Sequence, residues 1–192
     1  VFSTIHSPSS TVQLGVLGAG NFANATLLPA IQKVDGVELV GIASAGGLHA
    51  QHSAKKFGFA YAASSDDEIL NYPNINTVAI LTRHDSHATL VVKALTAGKH
   101  VFVEKPLAIT VDDCLAMRDA WRASGKACFV GYTLRYSPMY RKVQELVASG
   151  AIGQPISLEF NETLAFGHGG TRRIQRSEDL TDVGVFTGDA GS

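Results

Sequence analysis

Cysteine is scarce in this chain. Cys114 and Cys128 are its two thiols, far apart and without the spacing of a metal site. That argues against a disulfide framework and points to reduced thiols in a cytosolic (cytoplasmic) protein. Long hydrophobic runs are also missing: no stretch approaches the ~20 apolar residues of a membrane span. An excess of charge is missing too. There are 16 Lys+Arg against 17 Asp+Glu and no basic cluster, which argues against nucleic acid and anionic membrane as partners. The opening VFSTIHSPSS has neither the charged nor the apolar region of a signal peptide. Residues 1–10 read as a flexible lead, and a start at Val rather than Met leaves room for residues upstream. No G-x-S-x-G elbow, internal repeat or low-complexity tract occurs.

What is present is a regular alternation. Apolar residues make up 45% of the 192 and charged residues 17%, enough for a sizeable core and against wholesale disorder. The length suits one medium domain, or one complete domain and part of another. Strands are predicted at Val12–Leu17, Val37–Ala43, Phe59–Ala62, Thr77–Leu81, His100–Val103 and Ala127–Val130. Between them fall helical patterns. The first carries Leu27, Leu28, Ile31 and Val34, with Pro29 in its first turns or at a kink. Leu48–Phe57 is the second, and a capping box, Ser65-Asp66-Asp67-Glu68, opens a short third. A fourth runs to Ala97, and Thr110–Ser124 is the fifth, with Asp112 and Asp113 in its first turn. Such alternation implies an α/β fold with a doubly wound parallel sheet of Rossmann type over residues 11–131, its ligands beyond the carboxyl ends of the strands.

The rhythm changes after Gly131. YSPMYRKVQELVASGAIG reads as one helix and Pro155–Leu164 as a long strand, followed by a tail with little periodicity. A long strand with no return partner leaves its edges unpaired. Residues 132–192 are therefore expected to be the incomplete start of a second domain.

GVLGAGNFA places Gly18, Gly20 and Ala23 in a G-x-G-x-x-A pattern between a strand and a helix. Gly18 permits the tight turn, Gly20 lets the backbone approach a pyrophosphate, and Ala23 allows close helix–strand packing. The helix N-terminus, at Asn21 and Phe22, offers free amides to an anion. A glycine turn used only for packing is the alternative. NAD readers commonly carry an acid at the end of the second strand. Here that strand ends in GIASAGG, with Ser44 at the place, while Glu38 lies at the wrong end. Ser44, with the amides of Gly46 and Gly47, tolerates a 2′-phosphate, and His49, His52 and Lys55 are the nearby groups able to contribute. NADP is favoured over NAD, both staying open. The missing acid also argues against an S-adenosylmethionine methyltransferase.

HVFVEKPLA ends an apolar strand in Glu104, Lys105 and Pro106. Proline restricts the residue before it and can support a cis bond. Lys105 is thus expected to be held at a strand's carboxyl end, where it can donate to a substrate hydroxyl or carbonyl, and where partial burial can lower a lysine's pKa. Glu104 can contact a nicotinamide ribose or hold the lysine. The plainer reading is a surface turn with a solvated Lys105.

Taken together, GVLGAGNFA, HVFVEKPLA, GYTLRYSP and VASGAIGQP resemble the glucose–fructose oxidoreductase/inositol dehydrogenase (Gfo/Idh/MocA) family over roughly residues 12 to 164. The resemblance implies a Rossmann domain followed by an α/β domain with a mostly antiparallel sheet; an incomplete second domain leaves apolar strand surface uncovered, so a homo-oligomer through that domain is an expectation. The resemblance also implies hydride transfer between NADP or NAD and a carbon bearing a hydroxyl on a small sugar- or cyclitol-like polyol. It makes Lys105 the catalytic lysine beside cofactor and substrate. It also puts Thr82, Arg83 and His87 in a loop near the cofactor, and Arg135 and Tyr136 in a segment returning to the cleft. GIASAGGLHAQHSAKKFGF and TRHDSHA further resemble a branch sometimes fused behind an alcohol-dehydrogenase-like module. Family enzymes commonly carry an Asp and a His a few residues apart in the second domain. In TDVGVFTGDAG, Asp182 and Gly184 fit, but Phe186 stands where the His is expected. A non-catalytic nucleotide-binding sensor or fragment is therefore the rival to the oxidoreductase.

Other features carry less. His84-x-x-His87 has metal spacing but no third ligand in sequence, so no metal is assigned. Asn161, Glu162 and His168 read as a polar loop, and Arg172, Arg173 and Arg176 as a solvated face. Leu115 and Trp121 are expected in the core.

Overall fold

Six short apolar runs become strands, the central ones the most fully buried. The structure, a computed structural model, describes residues 11–157 and 159. The strands are β1 (Val12–Leu17), β2 (Val37–Ala43), β3 (Tyr61–Ala63), β4 (Thr77–Ile80), β5 (His100–Glu104) and β6 (Cys128–Gly131). They form one sheet in the order β3-β2-β1-β4-β5-β6, and every neighbouring pair is parallel. This is the Rossmann order, reversing direction between β1 and β4. The expected third strand is two residues late, starting at Tyr61 rather than Phe59, because Phe59 is a core residue of the loop before it.

The helices are α1 (Leu28–Ile31), α2 (Gly47–Phe57), α3 (Asp66–Leu70), α4 (His87–Thr96), α5 (Val111–Ser124) and α6 (Pro138–Ala148). Two cores follow from the period-2 alternation of the strands. On one face Leu17, Ile80, Val101 and Val103 meet Ile69 of α3, Leu90 and Val91 of α4 and Met117 of α5. On the other, Leu14, Val16 and Ile42 meet Ala23, Leu28 of α1 and Phe57 of α2. Leu115 and Trp121 depart from expectation: both are exposed, and Met117 is the buried residue of α5. Leu115 is two positions from Met117 and so lies on nearly the opposite side of the helix.

Local chemistry sets the helix starts. Ala23–Leu27 winds as wide π turns before α1, with the Leu28 N–H reaching Ala23 O. Pro29, next in the chain, lacks the N–H that an α-helix would use and crowds the preceding turn, which a π segment relieves. Ser65 caps α3 by accepting from the Glu68 N–H, while the Glu68 carboxylate takes the hydroxyl and N–H of Ser64. The expected capping box is thus shifted by one residue on its return arm. These bonds hold the Glu68 carboxyl below its usual range. Thr110 caps α5, accepting from Asp113 N and donating to its carboxylate.

Gly15 and Gly41 are register partners on β1 and β2. A Cβ on either would lie within 2.6 or 2.8 Å of the Ile69 side chain, so the glycine pair forms the slot in which α3 seats. Burial pushes the Cys128 thiol up, away from reactivity.

The described residues form two compact units, divided between Arg141 and Lys142. Pro155–Ser157 and Glu159 are in no regular element, so the expected strand from Pro155 does not begin there; its remainder lies outside the described residues. Asn161, Glu162, His168, the three arginines, Asp182, Gly184 and Phe186 also lie outside them. Among the described residues no helix is long and apolar enough to cross a membrane.

Lys99, at the turn into β5, is buried and donates to Tyr72 O (2.9 Å) and Ile75 O (2.7 Å). Burial, then Lys126, lowers its pKa. Replacing it with methionine keeps the apolar stem, takes the Lys99 donor from Ile75 O and leaves Tyr72 O with the Ile75 N–H at 3.2 Å. Lys99→Met is expected to cost ~1–3 kcal/mol in urea unfolding; an unchanged midpoint would show that water serves the carbonyls equally well.

Candidate cofactor and active site

All six strands point their carboxyl ends to one edge, so the loops following β1, β2, β4, β5 and β6 line up there. Gly18 follows β1 with φ +106°, in a region open to glycine. Its N–H donates to Ala43 O at the end of β2 (2.8 Å). A Cβ on it would lie 2.6 Å from the carbonyl carbon and oxygen of Leu81, and 2.9 Å from Thr82 N, so the loops after β1 and β4 touch through their main chains. Gly20 is the opposite case: exposed, with nothing within 4 Å of a hypothetical Cβ. Asn21 and Phe22 follow on the outer side, both exposed, and Ala23 is buried against the sheet.

Asn24 locks this loop. Its amide donates to Ala19 O (2.8 Å) and Gly20 O (3.0 Å), and its carbonyl accepts from the buried Ser53 hydroxyl of α2 (2.7 Å). The sequence reading passed over both residues. An Asn one position beyond the motif is a faint signal, and Ser53 lies too far along the chain to suggest itself.

At the end of β5, Glu104 folds over the neighbouring strand. Its Oε2 accepts the Lys105 N–H (3.2 Å), and its Oε1 is buried with no hydrogen-bond partner. A Cβ on Gly131, at the end of β6, would lie 2.7 Å from that Oε1, so only glycine there admits the carboxylate. Lys105 itself is exposed, and its peptide bond to Pro106 is cis.

After β4, Thr82 accepts the Ser86 hydroxyl (2.6 Å), Arg83 is exposed, and a 3₁₀ turn (His84–Ser86) leads into α4. His87, expected to face the cofactor, is instead wholly buried. Its Nδ1 lies 2.8 Å from Pro106 O and its Nε2 3.3 Å from Thr82 O, so its ring meets the chain's own carbonyls. His84 stacks edge-on against it, with centroids 5.7 Å apart. Partial burial, then His87 and Lys105, lower the His84 pKa, against smaller opposing effects of Asp85 and Glu104. Arg135 is exposed on the 3₁₀ turn (Thr133–Tyr136) beyond β6, while Tyr136 rests its ring on Phe129, which stacks on Phe102.

Ser44, just past β2, borders an open cavity of about 270 Å³ with Ala45, Ser65, Asp66, Asp67 and Lys93. Lys93 is paired with Asp67 at 3.4 Å. No acid occupies the end of β2, but two stand across the cavity. Among the described residues no three His, Cys, Asp or Glu cluster in a way that could hold a metal.

This arrangement has a counterpart among known proteins. The profile described as "Oxidoreductase family, NAD-binding Rossmann fold" (Gfo/Idh/MocA) matches residues 12–132. The chain belongs to the Gfo/Idh/MocA oxidoreductase family. An inositol 2-dehydrogenase of Salmonella typhimurium is 32% identical over 148 residues, covering 76% of this chain and 44% of that protein. A scyllo-inositol 2-dehydrogenase (NAD(+)) of Bacillus subtilis is 30% identical over 145 residues, 76% of this chain and 42% of that protein. The structure of the 3-ketoreductase KijD10 from Actinomadura kijaniata, in complex with NADP and TDP-benzene, superposes with a TM-score of 0.69 at 26% identity, covering 76% of this chain and 44% of that one. This Gfo/Idh/MocA chain therefore spans less than half the length of the relatives it matches.

The two loop glycines separate packing from access. Gly18→Ala is expected to lower stability by more than ~2 kcal/mol, through a main-chain clash and an unfavourable φ. Gly20→Ala is expected to stay within ~0.5 kcal/mol of the parent, having open space around it. Thermal and urea melts of the two variants check this pair; equal losses would contradict the geometry.

Proposed function

We propose that this chain binds a nicotinamide dinucleotide along the carboxyl edge of its sheet. In the whole protein it would hold Lys105 against the oxygen of a sugar- or cyclitol-like alcohol during hydride transfer. The observation that carries this reading is the pairing at one edge of an open glycine loop and a lysine whose N–H is pinned by Glu104. The residues fit the cofactor: Gly20 leaves an unobstructed approach to the first helical amides, and the orphaned Glu104 Oε1 is a buried acceptor awaiting a donor.

When bound, the nicotinamide supplies the carbon that accepts or gives up hydride. Gly18, Gly20, Asn21, Phe22 and Ala23 would shape the pyrophosphate cradle. Thr82, Arg83 and Arg135 would border the nicotinamide half, and Glu104 Oε1 would accept from a ribose or substrate hydroxyl. Lys105 Nζ would donate to the substrate oxygen and stabilise negative charge developing there. The relatives named inositol dehydrogenase support a cyclitol or sugar as substrate. Residues 132 onward would open the second domain, through which a homo-oligomer would assemble. Two free thiols suit a reducing, cytosolic setting.

Ser44 favours NADP, since no carboxylate stands at the end of β2 to repel a 2′-phosphate. Lys93 lines the same cavity, although Asp67 engages it. Ser44→Asp is expected to weaken NADPH at least about tenfold relative to NADH, a shift of ~1.4 kcal/mol. Asp67→Asn, which releases Lys93, is expected to favour NADPH.

The test is a fluorescence titration with NADPH and NADH, followed by nicotinamide absorbance on a polyol panel. Binding that weakens about tenfold or more in Gly20→Ala and in Lys105→Ala supports the site. A folded protein that binds neither nucleotide overturns it. In the full-length protein, loss of turnover in Lys105→Ala at saturating cofactor is expected.

A further inference from the structure

We propose that His87 is a positioning residue for Lys105: a buried strut that ties the main chain of the Lys105–Pro106 step to the loop after β4. The proposal rests on the nucleotide-site reading above and adds a residue that touches neither cofactor nor substrate.

His87 opens α4 and is fully buried. An imidazole out of water must find partners for its polar nitrogens, and here both are main-chain carbonyls from different loops: Pro106 O at 2.8 Å and Thr82 O at 3.3 Å. Both facing atoms are acceptors, so the ring holds them by donating. The shorter contact places an N–H on Nδ1, donating to Pro106 O, and Nε2 lies against Thr82 O at the longer distance. The strong bond runs to the residue directly after Lys105.

Lys105 is thereby bracketed. Its own N–H donates to Glu104 Oε2 (3.2 Å), and the carbonyl of the following residue is held by His87. The other end of the strut is Thr82, whose N lies 2.9 Å from where a Cβ on Gly18 would sit and whose hydroxyl accepts from Ser86. Through His87 the lysine's backbone is therefore referenced to the glycine loop two strands away. An exposed side chain gains little fixed direction from its own contacts, so a fixed backbone is what orients Lys105.

The replacements that test this differ in where they put a donor. Asparagine places its amide near the Nδ1 position, glutamine near Nε2, and leucine removes both while filling the space. The 192-residue chain and His87→Asn, His87→Gln and His87→Leu would be checked for folding by thermal melts. NADPH and NADH affinity would then be measured by fluorescence, and the acetylation rate of Lys105 by peptide mass spectrometry. His87→Asn is expected within about twofold of the parent in both readouts. His87→Gln and His87→Leu, where folded, are expected to bind about tenfold or more weakly, the scale of one lost hydrogen bond. In both, the Lys105 acetylation rate is expected to move to that of an unstructured lysine peptide.

Equal losses in the asparagine and glutamine variants would overturn the proposal, because a donor at Nδ1 would then be irrelevant. So would a folded His87→Leu that matches the parent. If the folded parent binds neither nucleotide, the nucleotide reading fails, and the acetylation rates decide the strut by themselves. If the leucine variant does not fold, the asparagine–glutamine pair decides.

Discussion

A side chain at residue 18 would place its Cβ 2.6 Å from the main chain at Leu81. That close approach is the constraint on which the rest of the site depends. It occurs where the strand order reverses, between β1 and β4, the place where an open parallel sheet leaves a crevice beyond its strands. With no Cβ in the way, the loops after β1 and β4 meet through their backbones. Gly18 also donates to Ala43 at the end of β2, so three consecutive loops share one frame.

Hydrogen bonds from inside the fold then make that frame rigid. Asn24 holds the glycine loop from beneath and is itself held by Ser53. Glu104 lies over Gly131 and takes the Lys105 N–H. The space at Gly20 and the exposed Lys105 face outward, and beneath them the buried Oε1 of Glu104 has no partner. A rigid base with unengaged groups at its edge is the arrangement a ligand site requires, since ordering has already been met by folding.

The alternation of strands and helices was legible because burial on both sheet faces leaves unbroken apolar runs, and turns leave glycines. Boundaries moved where tertiary packing intervened: β3 starts late because Phe59 belongs to the core. Of the expected core pair Leu115 and Trp121, both exposed, Leu115 lies nearly opposite the inward Met117 of α5. The glycine motif and the Glu-Lys-Pro step were legible as site elements because each departs from what simple packing needs. The direction of His87 was not legible. A histidine near a cofactor loop reads the same whether its ring faces the cleft or the core.

By itself, the sequence determined the parallel α/β class, the position of the glycine loop after the first strand and the lysine at the end of the fifth, since these follow from periodicity and turn chemistry along the chain. Only the tertiary structure decided that Ile69 seats on the Gly15–Gly41 pair, that Glu104 lies over Gly131, and that His87 joins Thr82 to Pro106. The physical reason is distance in sequence. Each of these contacts joins residues from separate elements, and hydrogen-bond direction and van der Waals contact exist only once the sheet has brought them together.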